Sequence, residues 1–242
     1  MFLPRRLVAA TIKNHKLSLI YVPERDSFFF SKRFPRRLLK AVIIPFRKVL
    51  HMRAMEEKIR SEGTVLPGGI LKVGSFLNQQ IDSVFLKEIG EEISDLFADE
   101  HPTKLLTIES SGIAIAAAAG MVMGIPVVFA KKHKTSNVDG EIYSAKIHSF
   151  THGNDYQAVV SRDYLLPDDR VLLIDDFLAS GNALEGLVKI VSLAGAEVVG
   201  AAVAIEKRFQ SGGDKLRSRG IRVEPLACID SMTDSDITFC HL

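Results

Sequence analysis

Residues 171–183 read VLLIDDFLASGNA. Val171 to Ile174 form a short apolar run, as expected of a strand buried on both faces of a parallel sheet. Two acids, Asp175 and Asp176, stand where that strand is expected to emerge. Small residues follow, Ala179, Ser180 and Gly181, and a helix is predicted to open at about Asn182. In open parallel sheets, ligands bind beyond the carboxyl ends of the strands. Small residues let backbone N–H groups close around a phosphate. The helix N-terminus adds partial positive charge, and the Ser180 hydroxyl adds a donor. Two carboxylates aimed at the same phosphate would repel it, so Asp175 and Asp176 are better placed to accept from a ribose diol about one sugar length away. A lone Asp-Asp pair reads as a solvated strand end. Strand, diacid, small loop and helix start in this order read as a sugar-phosphate site. No GxGxxG follows a strand and no GxxxxGK[ST] occurs, which sets aside a dinucleotide fold and a P-loop.

Outward from this segment, apolar runs of strand length recur at 104–108, 126–130, 143–150, 157–161, 198–205 and 222–227. Helical spacing predicts helices over 55–61, 81–98, 114–123 and 183–194. The second carries Ile81, Phe85, Ile89, Ile93 and Phe97 at every fourth position, and the last two end near Gly124 and Gly195. Strands alternating with helices predict an α/β fold with a parallel twisted sheet flanked by helices on both faces.

The 242 residues are 47% apolar and 25% charged. No apolar run reaches the roughly 18–20 residues of a membrane span. Cys228 and Cys240 have no CxxC spacing and are expected to be inert thiols in a reducing cytoplasm. The net charge of +2 conceals an asymmetry: residues 1–54 hold 13 Lys/Arg and 2 Asp/Glu, while residues 55–242 hold 18 and 27. The break predicts a basic N-terminal arm, 1–54, and a separate domain, 55–242. Pro4, Pro23, Pro35 and Pro45 interrupt any long helix in the arm, and Phe28, Phe29 and Phe30 lack an amphipathic pattern. Three readings of the arm stay open: a transit peptide, a DNA-binding arm, or upstream sequence before a native start at Met55. The last, non-native or disordered, is favoured because a complete domain opens at Met55. The acidic body argues against a nucleic-acid partner.

The segment 171–183 resembles the signature of type I phosphoribosyltransferases, which use 5-phosphoribosyl 1-diphosphate. The stretch from Met55 to about Phe239 resembles the family of bacterial xanthine phosphoribosyltransferases. The match is carried by GGILKVGSFLNQQID (68–82), LLTIESSGIA (105–114) and AIEKRFQ (204–210). The resemblance implies the type I fold with a small hood from the N-terminal part of the domain, and a cytoplasmic homodimer acting in purine salvage. It implies transfer of the phosphoribosyl group to xanthine, giving xanthosine 5′-monophosphate and diphosphate. It also implies site residues: Ala179, Ser180, Gly181, Asn182 and Ala183 for phosphoribosyl diphosphate, and Leu71, Asn78 and Lys207 for xanthine.

A Lys207 ammonium can donate to an exocyclic oxygen of xanthine, whereas the amino group of adenine gains nothing from it. The competing reading is a surface lysine beside Arg208. Asn78 either meets the base edge or caps the helix before Ile81. Leu71 offers apolar contact to the base or is a core leucine. Phe209 stacks on the base or packs. Ser110, Ser111 and Gly112 follow the strand 104–108 and form a second strand–loop–helix anion site, where the family places the leaving diphosphate, or a plain turn with a serine cap. Lys131, Lys132, His133 and Lys134, before a polar stretch 135–141, form either a closing loop over the diphosphate or a solvated run. The histidines show no metal-ligand spacing, so Mg2+ is expected on the sugar diphosphate and not on protein ligands. Asp175 and Asp176 are expected to hold the ribose and stabilise positive charge at the anomeric carbon.

One departure stands out. Ser211-Gly212-Gly213-Asp214 lacks the arginine that the resemblance leads one to expect after Phe209-Gln210, which leaves the anchoring of this loop open, and base preference with it. Two rivals follow: a hypoxanthine or guanine phosphoribosyltransferase, and a purine-responsive DNA-binding regulator on the same domain. The second needs a folded winged or helix–turn–helix module, for which residues 1–54 are too short and too often broken by proline.

Overall fold

The computed structural model describes residues 7–13, 16–22, 54–132, 140–148 and 155–240. The chain divides into two units, Met1–Leu50 and His51–Leu242, close to the boundary expected from charge. In the first, β1 (Leu7–Lys13) and β2 (Lys16–Val22) form an antiparallel hairpin that the proline count does not suggest. The four prolines and Phe28 to Phe30 lie outside the described residues.

The second unit is built on a six-stranded sheet in the order β12-β11-β10-β9-β5-β6. These strands are β5 (Lys104–Ile108), β6 (Val127–Ala130), β9 (Arg170–Leu178), β10 (Glu197–Lys207), β11 (Val223–Met232) and β12 (Ile237–Phe239). All pair in parallel except β12, which returns antiparallel along β11. Strand β10 sits between β9 and β11, and residues 199–206 are all buried. A strand covered on both faces tolerates an unbroken apolar run, which is why VVGAAVAI shows no alternation.

Helix α1 spans 54–62, α2 Ser83–Leu96, α3 Ser111–Met123, α4 Asn182–Ala194 and α5 Gly212–Ser218. Core residues on one side of the sheet include Met55, Ile59, Ile93, Phe97 and Ile115; on the other, Leu184, Leu187, Val191 and Leu216. Gly124 and Gly195 cap α3 and α4 in the left-handed conformation, as expected. Among the described residues no helix is long and apolar enough to cross a membrane.

Two expected strands join the sheet no further than an isolated bridge. β7 (Ile142–His148) and β8 (Asp155–Ser161) form their own antiparallel hairpin over α4, where Gly186 leaves room for Ile147. A second hairpin, β3 (Thr64–Leu66) and β4 (Ile70–Lys72), turns on Gly68 and Gly69, with φ of 82° and 71°. Such angles favour glycine, which has no Cβ to clash with the backbone. With the π-helical turn Gly74–Asn78 it forms the small hood that the resemblance implied.

Cys228 and Cys240 are disulfide-bonded, contrary to the expectation of free thiols. The antiparallel return of β12 sets Phe239 opposite Ile229, so the next pair brings the two Cα atoms within 5.4 Å. That proximity is tertiary and leaves no spacing signal in the sequence.

Helices α2 and α3 cross at Gly90, where an added Cβ would lie 2.7 Å from the carbonyl of Ala118. Gly90→Ala is therefore expected to cost about 1–3 kcal/mol of stability. The check is a lower denaturant midpoint at unchanged slope; an unaltered midpoint would mean that the helices part freely.

Candidate active site

Parallel register brings the carboxyl ends of β5, β9 and β10 together, with Leu106 opposite Leu173 and Leu178 opposite Glu206. The loops that leave these three strands face one another across a single edge of the sheet, the edge where parallel folds bind ligands.

Strand β9 runs on to Leu178, because Phe177 and Leu178 still pair with Ile205 and Glu206. Asp175 and Asp176 thus belong to the strand and do not mark its exit. The loop after it, Ala179 to Gly181, is short and tight. Gly181 has φ 87°, opens helix α4 at Asn182 and makes no side-chain cap. The first N–H groups of that helix are thereby left to a ligand, with Ser180 beside them. Asn182 and Ala183 form the first turn, and Asn182 Nδ2 donates to the His148 carbonyl at 3.0 Å, tying this loop to the β7–β8 hairpin. All five residues read as the phosphate cradle therefore lie in one loop and helix start.

The two acids differ. Asp176 Oδ2 accepts from Asn78 Nδ2 at 3.0 Å, so the diacid and the hood touch. Asp175 is 5% exposed and accepts from the Asp176 N–H at 2.9 Å. Burial, reinforced by the neighbouring Asp176 charge, pushes its carboxyl well above the usual carboxylate range, with the Lys132 charge acting in the opposite direction. Burial, and then the Asp175 charge, also push the Tyr156 hydroxyl up.

Lys207 ends β10. Its Nζ donates to the Gly69 carbonyl at 2.8 Å and lies 5.5 Å from the centre of the Phe177 ring. Burial pushes this ammonium below the usual lysine value. It is not the freely solvated lysine of the competing reading, whereas its neighbours Arg208 and Phe209 are exposed. Asn78 is the last residue of the π-helical turn and does not cap α2. That cap is Asp82, whose Oδ1 accepts from the Val84 and Phe85 N–H groups at 3.1 Å each. The Leu71 side chain is buried in the core, the position its reading as a core leucine gave it.

Helix α3 opens at Ser111, earlier than expected, with Ser110 at the cap position and no side-chain cap bond. Gly112 sits in its first turn against Thr107, whose Oγ1 would lie 2.1 Å from an added Cβ. Ser110, Ser111 and Gly112 thus form a second uncapped helix start beside the first. Glu109 Oε1 accepts the Lys132 N–H at 2.6 Å, which joins this loop to the end of β6. His133, Lys134 and most of 135–141 lie outside the described residues.

Other contributors give no signal by residue type or spacing. The Gly69 carbonyl meets Lys207, and Asp234 Oδ1 accepts the Gly68 N–H at 3.3 Å, holding the tip of the hood. Helix α5 packs its first residues on the phosphate loop. The hint of that in the sequence is an acid, Glu206, directly after the apolar run 198–205 of β10.

A strand edge offering two uncapped helix starts, a diacid and a hooded lysine defines a phosphoribosyl-transfer class of site, and comparison with known proteins agrees. Residues 78–220 match the model of the phosphoribosyl transferase domain, and the chain belongs to that family. A protein of Limosilactobacillus fermentum named xanthine phosphoribosyltransferase is 48% identical over 188 residues, covering 78% of this chain and 96% of its own. One of the same name from Moorella thermoacetica is 51% identical over 187 residues, covering 77% and 95%. Among solved structures, adenine phosphoribosyltransferase of Giardia lamblia in complex with 9-deazaadenine aligns with a TM-score of 0.62 at 19% identity, over 72% of this chain and 97% of that one. The enzyme of the same name from Rhodothermus marinus aligns at 0.58 and 22% identity, over 73% and 99%. These two share the fold.

Because Asp175 holds its proton to higher pH in the fold than in the unfolded chain, its share of stability is complete below the ordinary carboxylate range. That share is lost as pH rises through that range toward the raised value. Asp175→Asn is expected to raise the melting temperature at pH 8 while changing it little at pH 4. Equal shifts at both pH values would show that the carboxyl ionises normally.

Proposed function

We propose that this protein transfers the 5-phosphoribosyl group from 5-phosphoribosyl 1-diphosphate to xanthine, forming xanthosine 5′-monophosphate and diphosphate in purine salvage. One juxtaposition carries the reading: the Lys207 ammonium is held under the hood at the end of β10, one strand from the uncapped phosphate loop that follows β9. Relatives about half identical over nearly their whole length bear the same activity in their names.

The 5′-phosphate rests on Ala179 to Ala183, the ribose diol faces Asp175 and Asp176, and the leaving diphosphate lies at Ser110, Ser111 and Gly112. Lys207 donates to an exocyclic oxygen of xanthine, Asn78 meets the base edge, and the Leu71 backbone completes the contact. A purine ring nitrogen attacks the anomeric carbon. The bond to the diphosphate oxygen breaks with its electron pair, and the proton of the attacking nitrogen passes to solvent. The chain acts by positioning and by stabilising charge: the uncapped helix starts bind the developing anion, and the acids face the oxocarbenium-like sugar. No covalent intermediate is needed.

Among the described residues no three His, Cys, Asp or Glu side chains gather at one point, and Asp176 is already bonded to Asn78. Mg2+ held by the sugar diphosphate would supply charge neutralisation on the leaving group, hard cations favouring phosphate oxygens. We further propose a homodimer in the cytoplasm. The exposed apolar side chains Val84, Met121 and Val122 on α2 and α3 favour a second copy over solvent, and light scattering measures that mass directly.

A base panel tests the function. Purified protein with magnesium is expected to turn over xanthine with higher kcat/KM than guanine or hypoxanthine, and to lose activity on chelation. Lys207→Met is expected to cut kcat/KM for xanthine by roughly 10- to 100-fold. No turnover of any purine base overturns the assignment, and a Lys207→Met variant as selective as its parent removes the lysine from the base site.

A further inference from the structure

We propose that Arg217 is a positioning residue for the sugar-phosphate site: forked onto the buried Glu206, it clamps helix α5 against the loop Ala179–Gly181 without itself touching the ligand. The inference rests on the phosphoribosyl-transfer reading and extends it to residues that bind nothing.

Glu206 is 1% exposed, and both its oxygens are taken by Arg217, Nη1 to Oε1 and Nη2 to Oε2, each at 2.7 Å. Arg217 Nη2 also donates to the Val223 carbonyl at 3.4 Å, and Asp214 Oδ1 lies 3.7 Å from Nη1. A carboxylate this deeply buried needs a fully bonded partner, and the planar guanidinium meets both oxygens at once. The α5 backbone is pressed onto the pair: a Cβ on Gly213 would lie 1.8 Å from Glu206 Oε1 and 2.5 Å from Arg217 Nη1.

One residue earlier, the same helix meets the phosphate loop. The Gly212 N–H donates to the Ala179 carbonyl at 3.0 Å, and a Cβ there would lie 2.2 Å from that oxygen and 2.5 Å from the Gly181 nitrogen. Lys215 Nζ adds a bond to the Ser180 carbonyl at 3.3 Å. Glu206, Arg217, Gly213, Gly212 and Gly181 are therefore in unbroken contact, and the loop rests on backbone that the ion pair, together with the buried Leu216, holds in place. Because the brace leans on the phosphate side of the edge, its loss acts on the sugar phosphate before it acts on the base.

Steady-state kinetics with each substrate varied in turn, at a temperature where circular dichroism shows every protein folded, separate this from a general structural role. Arg217→Met is expected to raise KM for 5-phosphoribosyl 1-diphosphate by about tenfold or more, with KM for xanthine changed less than about twofold. Arg217→Lys, which keeps the carboxylate paired through one contact, is expected to raise the same KM by about threefold and serves if the Met variant does not fold. An unchanged KM for the sugar diphosphate in the folded variants, with only a lower melting temperature, overturns the inference, as does an equal rise for both substrates. An inactive parent protein in the same assay overturns the phosphoribosyl-transfer reading instead.

Discussion

The parallel ladder of β10 with β9 holds the site together. Its register sets Glu206 against Leu178, which lines up Lys207, the Asp175–Asp176 pair and the loop Ala179–Gly181 along one edge. Every later contact follows from that alignment. The hood reaches down to Lys207, the last residue of β10, and to Asp176, close to the end of β9 at Leu178. Helix α5 reaches Gly181 because it leaves β10 on the same side.

Burial then gives the polar groups at this edge their character. Asp175 is sequestered and burial pushes its carboxyl above the usual carboxylate range, while Asp176 is bonded to Asn78, so two adjacent acids are chemically unlike. Lys207 is partly desolvated, which weakens its hold on a proton and sharpens its preference for an acceptor oxygen over water. Glu206 is accommodated deep in the sheet because Arg217 meets it on both oxygens. None of these environments belongs to a residue type. Each is a product of which strand the residue ends and what lies over it.

The elements with strong periodicity are legible in residue order. Helices α2 and α4, strand β5 and the glycine caps fall close to where apolar spacing puts them, and the turn from β9 into α4 is legible because its small residues and helix start are contiguous. What residue order hides is assembled from short or distant pieces. The β3–β4 hairpin has three-residue strands, too short for alternation to show. The apolar runs at 143–150 and 157–161 are visible as strands, but nothing in them says that they pair with each other over α4. Asp82 provides the helix cap that Asn78 could equally have offered, and the Cys228–Cys240 pairing depends on how β12 folds back.

Residue order by itself determined the parallel α/β class and the short loop and helix start at Ala179–Ala183, because each is written in neighbouring residues. Tertiary structure alone decided that Asn78 meets Asp176, that Lys207 is held by Gly69, and that Arg217 braces the loop through Glu206. Those contacts join residues up to 138 positions apart. Their partners are chosen by strand register and burial, which no local pattern of side chains encodes.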